Sequence, residues 1–350
     1  MRLLSIVIFS LPLFGTLPVF AADPVLRQDF AKSADTQGWR AFGEGAAVEV
    51  KDAALELRYT AGPAMKLALL PLRTLDLSEM KSLRFEVRTD SPFAVGVLLA
   101  EKKPDGGNYT AIIWSNGGAW QPVHLTLADF APTEGKNDPV DKDHRLDTDQ
   151  LENLGILDFS QIFGAMAKGN SPVYAEPHDG PHVISFRNFE VLRDAPAAEP
   201  ADAVDTYGHP QSAWFTFGGA SLEVKDSTLT VRFRQRPEKG IAFSRVLPLR
   251  DYSGATHLSL DVQSDQALQL VVSLKERNVN GVEGARHNTD IFIPASDKPD
   301  HRDIALSAFE TDGGGGRLDL KSIQSITFLD VSGETAMTTL KLRNIRLTKQ

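Results

Sequence analysis

The chain contains no cysteine. Disulfides, thiol nucleophiles and thiolate metal sites are excluded, as is the lipid-bearing cysteine of bacterial lipoproteins. Without cross-links, the fold must be held by its core alone. Aromatics are sparse, with 4 Trp and 5 Tyr in 350 residues, so the place of each one matters. Basic residues are in deficit: 37 Lys plus Arg stand against 46 Asp plus Glu, a net charge of −9. With no Lys/Arg-rich stripe, this balance argues against nucleic acid and anionic membranes, and leaves neutral glycans or protein surfaces as better partners. No apolar run after residue 22 is long enough to span a bilayer. There is no G-x-S-x-G nucleophile turn, and Gly313 to Gly316 lack the Lys-Ser/Thr that a P-loop needs.

What is present begins with a leader. Met1-Arg2 supplies positive charge, Leu3 to Phe20 is apolar with Pro12, Gly15 and Pro18 in it, and Ala21-Ala22 ends it with small residues. This pattern predicts a signal peptide over residues 1–22 and a periplasmic or secreted protein with no membrane insertion after cleavage. The alternative is an uncleaved anchor, which the polar Asp23-Pro24 step disfavours.

The remainder says nearly the same thing twice. Val48-Glu49-Val50-Lys51-Asp52 returns as Leu222-Glu223-Val224-Lys225-Asp226, and Leu70-Pro71-Leu72-Arg73 as Leu247-Pro248-Leu249-Arg250. Phe186-Arg187-Asn188-Phe189 returns as Leu342-Arg343-Asn344-Ile345. A unit this long is a domain, far larger than a solenoid repeat. The small, acidic, Pro-punctuated stretch 195–202 reads as a semi-extended linker, which places one domain at 23–194 and a second at 203–350. Within each copy the apolar period is two: Leu55, Leu57 and Tyr59, then Leu83, Phe85 and Val87, answered by Leu229, Val231 and Phe233, then Leu258, Leu260 and Val262. Short alternating runs between Gly, Pro, Asn and Asp clusters predict an all-β protein of two tandem antiparallel β-sandwiches of jelly-roll type.

The first copy reads Tyr109-Thr110-Ala111-Ile112-Ile113-Trp114, a Gly117-Gly118 turn, Trp120, then Val123-His124-Leu125, Asp129-Phe130 and a closing Arg187-Asn188-Phe189. This order resembles the galactose-binding-like jelly rolls, and most of all the family-11 carbohydrate-binding modules and the complex I intermediate-associated proteins. The resemblance covers nearly all of the first copy. The second has Asn288 and Pro299 near the Tyr109 and Trp120 positions. It implies binding without catalysis, either of a polysaccharide or oligosaccharide in a sheet groove or of a periplasmic protein during assembly. Sugar recognition needs flat aromatic faces with polar groups beside them, which makes Tyr109, Trp114, Trp120 and Tyr174 the candidate ligand-binding residues. The competing explanation is that large aromatics in a β-domain pack its core. Trp39 and Trp214, shared by both copies, read as packing.

The copies differ most near their ends. Asp158 to Arg187 spans 29 residues where Asp330 to Arg343 spans 13, so the first copy carries 16 extra. The extra segment holds Tyr174, His178 and His182, and insertions on a rigid frame are a common seat of recognition. His178 and His182 have a zinc-like spacing, but Gly180 and Pro181 between them forbid a regular helix, so a polar turn is the simpler reading. No cofactor is required. The resemblance implies a structural calcium near Asp29 and Asn188, although Arg187-Asn188 stands where a closing carboxylate is usual. A third reading, a jelly-roll lyase or hydrolase, would need Tyr109, His124 and Arg88 to meet in one groove.

Overall fold

The computed structural model describes residues 23–32, 35–62, 64–103, 106–133, 138–139, 141–162, 171–208, 213–278, 282–312 and 316–349. Residues 1–22, the expected signal peptide, lie outside the described residues. Four six-stranded antiparallel sheets make two sandwich-like units. In the first unit, one sheet runs β3 (Ala47–Lys51), β4 (Ala54–Ala61), β12 (Gly180–Leu192), β6 (Ser82–Thr89), β9 (Gln121–Thr126), with β1 (Leu26–Gln28) also on β12. Its partner runs β10 (Ala131–Pro132), β8 (Asn108–Ser115), β7 (Phe93–Glu101), β11 (Leu151–Asp158), β5 (Leu67–Pro71), β2 (Arg40–Phe42).

The second unit repeats that plan strand for strand. One sheet runs β15 (Ala220–Lys225), β16 (Thr228–Arg234), β24 (Met337–Thr348), β18 (His257–Ser264), β21 (Asp300–Ala305), with β13 (Ala203–Asp205) on β24. The other runs β14 (Trp214–Thr216), β17 (Ile241–Val246), β23 (Ile323–Asp330), β19 (Leu268–Glu276), β20 (Arg286–Ile293), β22 (Glu310–Thr311). Each strand of the first unit thus has its counterpart twelve strands later, as a whole-domain duplication requires.

Local chemistry explains the shared details. The repeated Val-Lys-Asp blocks are hairpins: Asp52 and Ala53 turn β3 into β4 at φ 50° and 60°, and Asp226 and Ser227 turn β15 into β16 at 49° and 53°. Two consecutive positive φ values define the type I′ turn, whose twist matches that of the strands it joins. The Arg-Asn steps are β-bulges. Asn188 and Asn344 sit at φ 53° and 50° where β12 and β24 slip register, and each amide donates to a carboxylate on the next strand, Glu86 or Asp261, at 2.8 Å. Asn tolerates the left-handed region better than most residues, which suits it to that place. Trp39 and Trp214 are buried in their cores, their indole N–H groups donating to Gln28 at 2.6 Å and Asp205 at 2.8 Å.

The two units are fastened together. Ala94, Ile112 and Trp114, on the outer face of the first unit, belong to the same apolar cluster as Phe215 and Leu222 of the second. The Asn116 side chain bonds both backbone groups of Leu222, donating at 2.7 Å and accepting at 3.2 Å. Arg245 is buried in an ion pair with Asp205 and lies 3.5 Å from Asp129 of the first unit. The linker is more than a tether: 195–199 roofs a cavity of about 250 Å³ over Asp129, Arg245 and Tyr252.

Candidate functional site

Tyr109 and Trp114 lie five residues apart on β8 and so face opposite ways. Tyr109 points into the first core, 2 % exposed, and its hydroxyl donates to Asp141. Burial, reinforced by that bond, pushes the phenol far above its ordinary value, so it stays a protonated donor. Trp114 points outward but is 3 % exposed, because the second unit covers that face. Neither ring stands open in a sheet groove, which is the packing alternative for large aromatics, although Trp114 borders a cleft between the units. The pattern identified two aromatics on a strand, but covering by a neighbouring unit is not a property of the strand.

Trp120 is placed differently. It follows a turn in which Gly117 and Gly118 have φ of 76° and 73°, and a Cβ on Gly117 would come within 2.8 Å of the Ser91 backbone. The ring is half-buried, with the guanidinium carbons of Arg88 and Arg187 at 4.6 Å and 4.2 Å from its centroid. Arg187 is held by Glu86 at 2.6 Å, which also keeps Glu86 below the ordinary carboxylate range. Trp120 therefore sits in a cation-rich setting at the rim of an inter-unit cleft of about 420 Å³. Trp114, Asn116 and Gln121 line one wall, and Glu223, Leu229 and Arg232 line the other, with Arg232 donating to Glu223 at 2.9 Å.

The extra segment of the first copy turns out to be a strap. Residues 163–170 lie outside the described residues; beyond them Val173 forms a parallel bridge to Gly240, and Tyr174 and Glu176 donate their amides to Gly240 and Phe217 at 2.8 Å. The Tyr174 ring lies against Gly219, under Arg236 at 3.8 Å, and its hydroxyl donates to Glu176 at 2.6 Å. It fastens the strap to the second unit instead of standing on an open recognition loop.

His178 and His182 stack face to face, with centroids 4.1 Å apart and planes at 9°, against the edge of Phe93. His178 Nε2 lies 2.5 Å from Asp158, which also accepts the Tyr59 hydroxyl at 2.7 Å; His182 Nδ1 lies 3.1 Å from Asp90. Burial, then the Asp158 charge, raises the Tyr59 phenol well above its usual value. Among the described residues no group of three or more His, Cys, Asp or Glu could hold a metal ion. Asp29 and Asn188 follow directly on the Gln28–Phe189 pair, yet Asp29 binds the Ala31 amide and Lys32, which lowers its pKa, while Asn188 donates to Glu86. The proposed lyase set does not converge: Tyr109 is inside one sheet, whereas His124, 3.0 Å from Ser82, lies on the other.

Asn116, Glu223 and Arg232 are site residues that the sequence did not single out. For Arg232 a signal existed, since it is the outward position between Val231 and Phe233 in an otherwise plain alternation.

No family model matches the chain, and no curated protein matches it. Among solved structures, the family 11 carbohydrate-binding module of the Clostridium thermocellum cellulase Lic26A-Cel5E is 20 % identical, with 42 % of this chain and 96 % of that chain covered and a TM-score of 0.33. The CBM22-1–CBM22-2 tandem of Paenibacillus barcinonensis Xyn10C is 13 % identical over 94 % of this chain and 98 % of that one, at a TM-score of 0.31. The agarase AgWH50C is 14 % identical over 43 % and 26 %, at 0.35. Likeness at this level assigns nothing to this chain; the ligands and activities of those proteins are theirs.

Proposed function

We propose that the protein is an exported, non-catalytic glycan-binding protein, and that its binding site is the cleft between the two sandwiches at Trp120. One observation carries this reading: a half-buried indole at the rim of a cleft of about 420 Å³, beside a Glu–Arg pair and a glutamine amide. An aromatic face meets sugar C–H surfaces while carboxylate, amide and guanidinium groups reach hydroxyls. The site differs from the one read from the sequence: Trp120 is kept, Tyr109 and Trp114 become structural, and Tyr174, His178 and His182 serve the strap and its anchorage.

Isothermal titration against a panel of soluble oligosaccharides should show saturable binding that Trp120→Ala weakens about two- to twelvefold, as an aromatic contact worth about 0.5–1.5 kcal/mol implies. Saturable binding that is unchanged in Trp120→Ala removes the site, and absence of binding across the panel removes the function.

A protein-interaction or assembly role is the second reading, and it rests on Phe292. That side chain is 58 % exposed on β20 at the position matching Trp114, which in the first unit contacts a neighbouring sandwich. A single stoichiometric partner, lost in Phe292→Ser with glycans inert, would favour it.

A further inference from the structure

The cleft does not end at Trp120. A second groove of about 330 Å³ runs over the outer face of β15, β16 and β24, and shares Glu223 and Arg232 with the cleft. The two form one path from the indole of Trp120 to the far corner at Lys225 and Arg343. Sheet spacing sets the scale, because Lys225 and Arg343 lie two strands apart, about 10 Å.

Charge on this path runs against that of the chain. The protein carries nine more acids than bases. Along the path the six bases Arg88, Arg187, Arg232, Lys225, Lys341 and Arg343 outnumber the carboxylates of Glu86, Glu223, Asp226 and Asp261, the last lying opposite Arg343 and bound by His301 and Asn344. Glu86 and Glu223 are engaged by Arg187 and Arg232, and Arg343 donates to the Thr228 hydroxyl. Arg88, Lys225 and Lys341 have no carboxylate partner among the described residues.

The first unit supplies an internal control. By strand register, Glu223, Thr230, Arg232 and Lys341 match Glu49, Glu56, Arg58 and Ser185. In the first unit Arg58 is gripped by Glu49 and Glu56, and Ser185 bonds Glu56, so the face neutralises itself. The second unit has Thr in place of Glu56 and Lys in place of Ser185, which moves the same patch two charges toward positive. The exposure of the face changes with it: Glu56 and Ser185 are buried, whereas Thr230 and Lys341 are half-buried and reach the groove.

We infer that the cleft and the adjoining β15–β16–β24 face form one binding path for an acidic glycan, a polyuronate chain whose carboxylates meet Arg88, Lys341, Lys225 and Arg343. The inference rests on the glycan-binding reading and assigns the charge of the ligand. Guanidinium and ammonium groups bind carboxylates by charge-assisted hydrogen bonds, and the Thr228 and Thr230 hydroxyls are suited to sugar hydroxyls.

The test is isothermal titration of the full chain with an oligogalacturonate, a neutral mixed-linked β-glucan oligosaccharide and a single-stranded oligonucleotide, at about 0.05 and 0.5 M NaCl. The oligogalacturonate should bind in preference to the other two, and more weakly in high salt. Lys341→Ser should weaken it about two- to fivefold, the range for one exposed ion pair. The first-unit residues installed together, Thr230→Glu with Lys341→Ser, should weaken it tenfold or more. Both positions are on an outer sheet face, and circular dichroism and the melting temperature will show that the variants are folded. Tighter binding of the neutral oligosaccharide overturns this inference and leaves glycan binding standing; no binding to either sugar overturns both. Equal binding of the oligonucleotide, or oligogalacturonate binding unchanged in the double variant, also overturns it.

Discussion

Trp114→Ala removes an indole that is 3 % exposed and packs in the apolar cluster of the second unit together with Ala94 and Ile112. Truncating a buried Trp to Ala costs about 3–5 kcal/mol in lost transfer energy and residual cavity. Here the cavity opens at the seam, so the loss falls on the coupling between units and leaves the first core intact. For units of this size that is a fall of roughly 6–20 °C in the melting temperature of the affected transition. Differential scanning calorimetry should show the lower transition separating from the other, and limited proteolysis should begin near the seam. Trp114→Phe is the control. The Trp114 indole N–H is buried without an acceptor, so replacing it forfeits area but no hydrogen bond, and the cost should be less than half that of Ala. An unchanged melting temperature in Trp114→Ala, with weakened glycan binding, would refute the seam assignment and restore this ring as a ligand platform.

Two further predictions concern the fold. Ala53 and Ser227 occupy second turn positions at φ 60° and 53°, so Ala53→Gly and Ser227→Gly should each stabilise by about 1 kcal/mol in urea titrations; a loss in both would contradict the turn account. Asp330 is 1 % exposed, and burial outweighs its bonds from Ser332, which holds its carboxyl above the ordinary 3.8. A raised carboxyl binds its proton more tightly folded than unfolded, so it adds stability as the pH drops through the window just above 3.8, and this gain disappears as the pH rises through the folded value. Asp330→Asn should flatten that slope; an unaltered pH profile of unfolding would count against it.

Much of the frame was legible in the residues, and the reasons are local. Alternation in Leu55-Leu57-Tyr59 and its second-copy partner shows which side of a strand meets its own core. The repeated Lys-Asp steps mark turns, and Trp39 and Trp214 occur in both copies because both cores need them. What alternation cannot show is whether the other side meets water. Tyr109, Ala111 and Ile113 point inward, yet Ile112 and Trp114 on the outward parity are also apolar. Their matches Asp290 and Phe292 on β20 include a charge and an exposed ring. An apolar outward set in one copy and a mixed set in the other is the mark of a covered face, and it was readable only once strand register was known. The extra segment is a similar case: its length was plain, but the bridge from Val173 to Gly240 is a long-range contact with no trace in spacing.

The four indole N–H groups allow the central claim to be observed residue by residue. In a nitrogen–proton correlation spectrum of the labelled protein titrated with a binding oligosaccharide, the Trp120 resonance should move with saturation, while Trp39, hydrogen-bonded in the first core away from the cleft, stays still. Saturable binding with Trp120 unmoved would contradict the account and place the ligand away from the cleft.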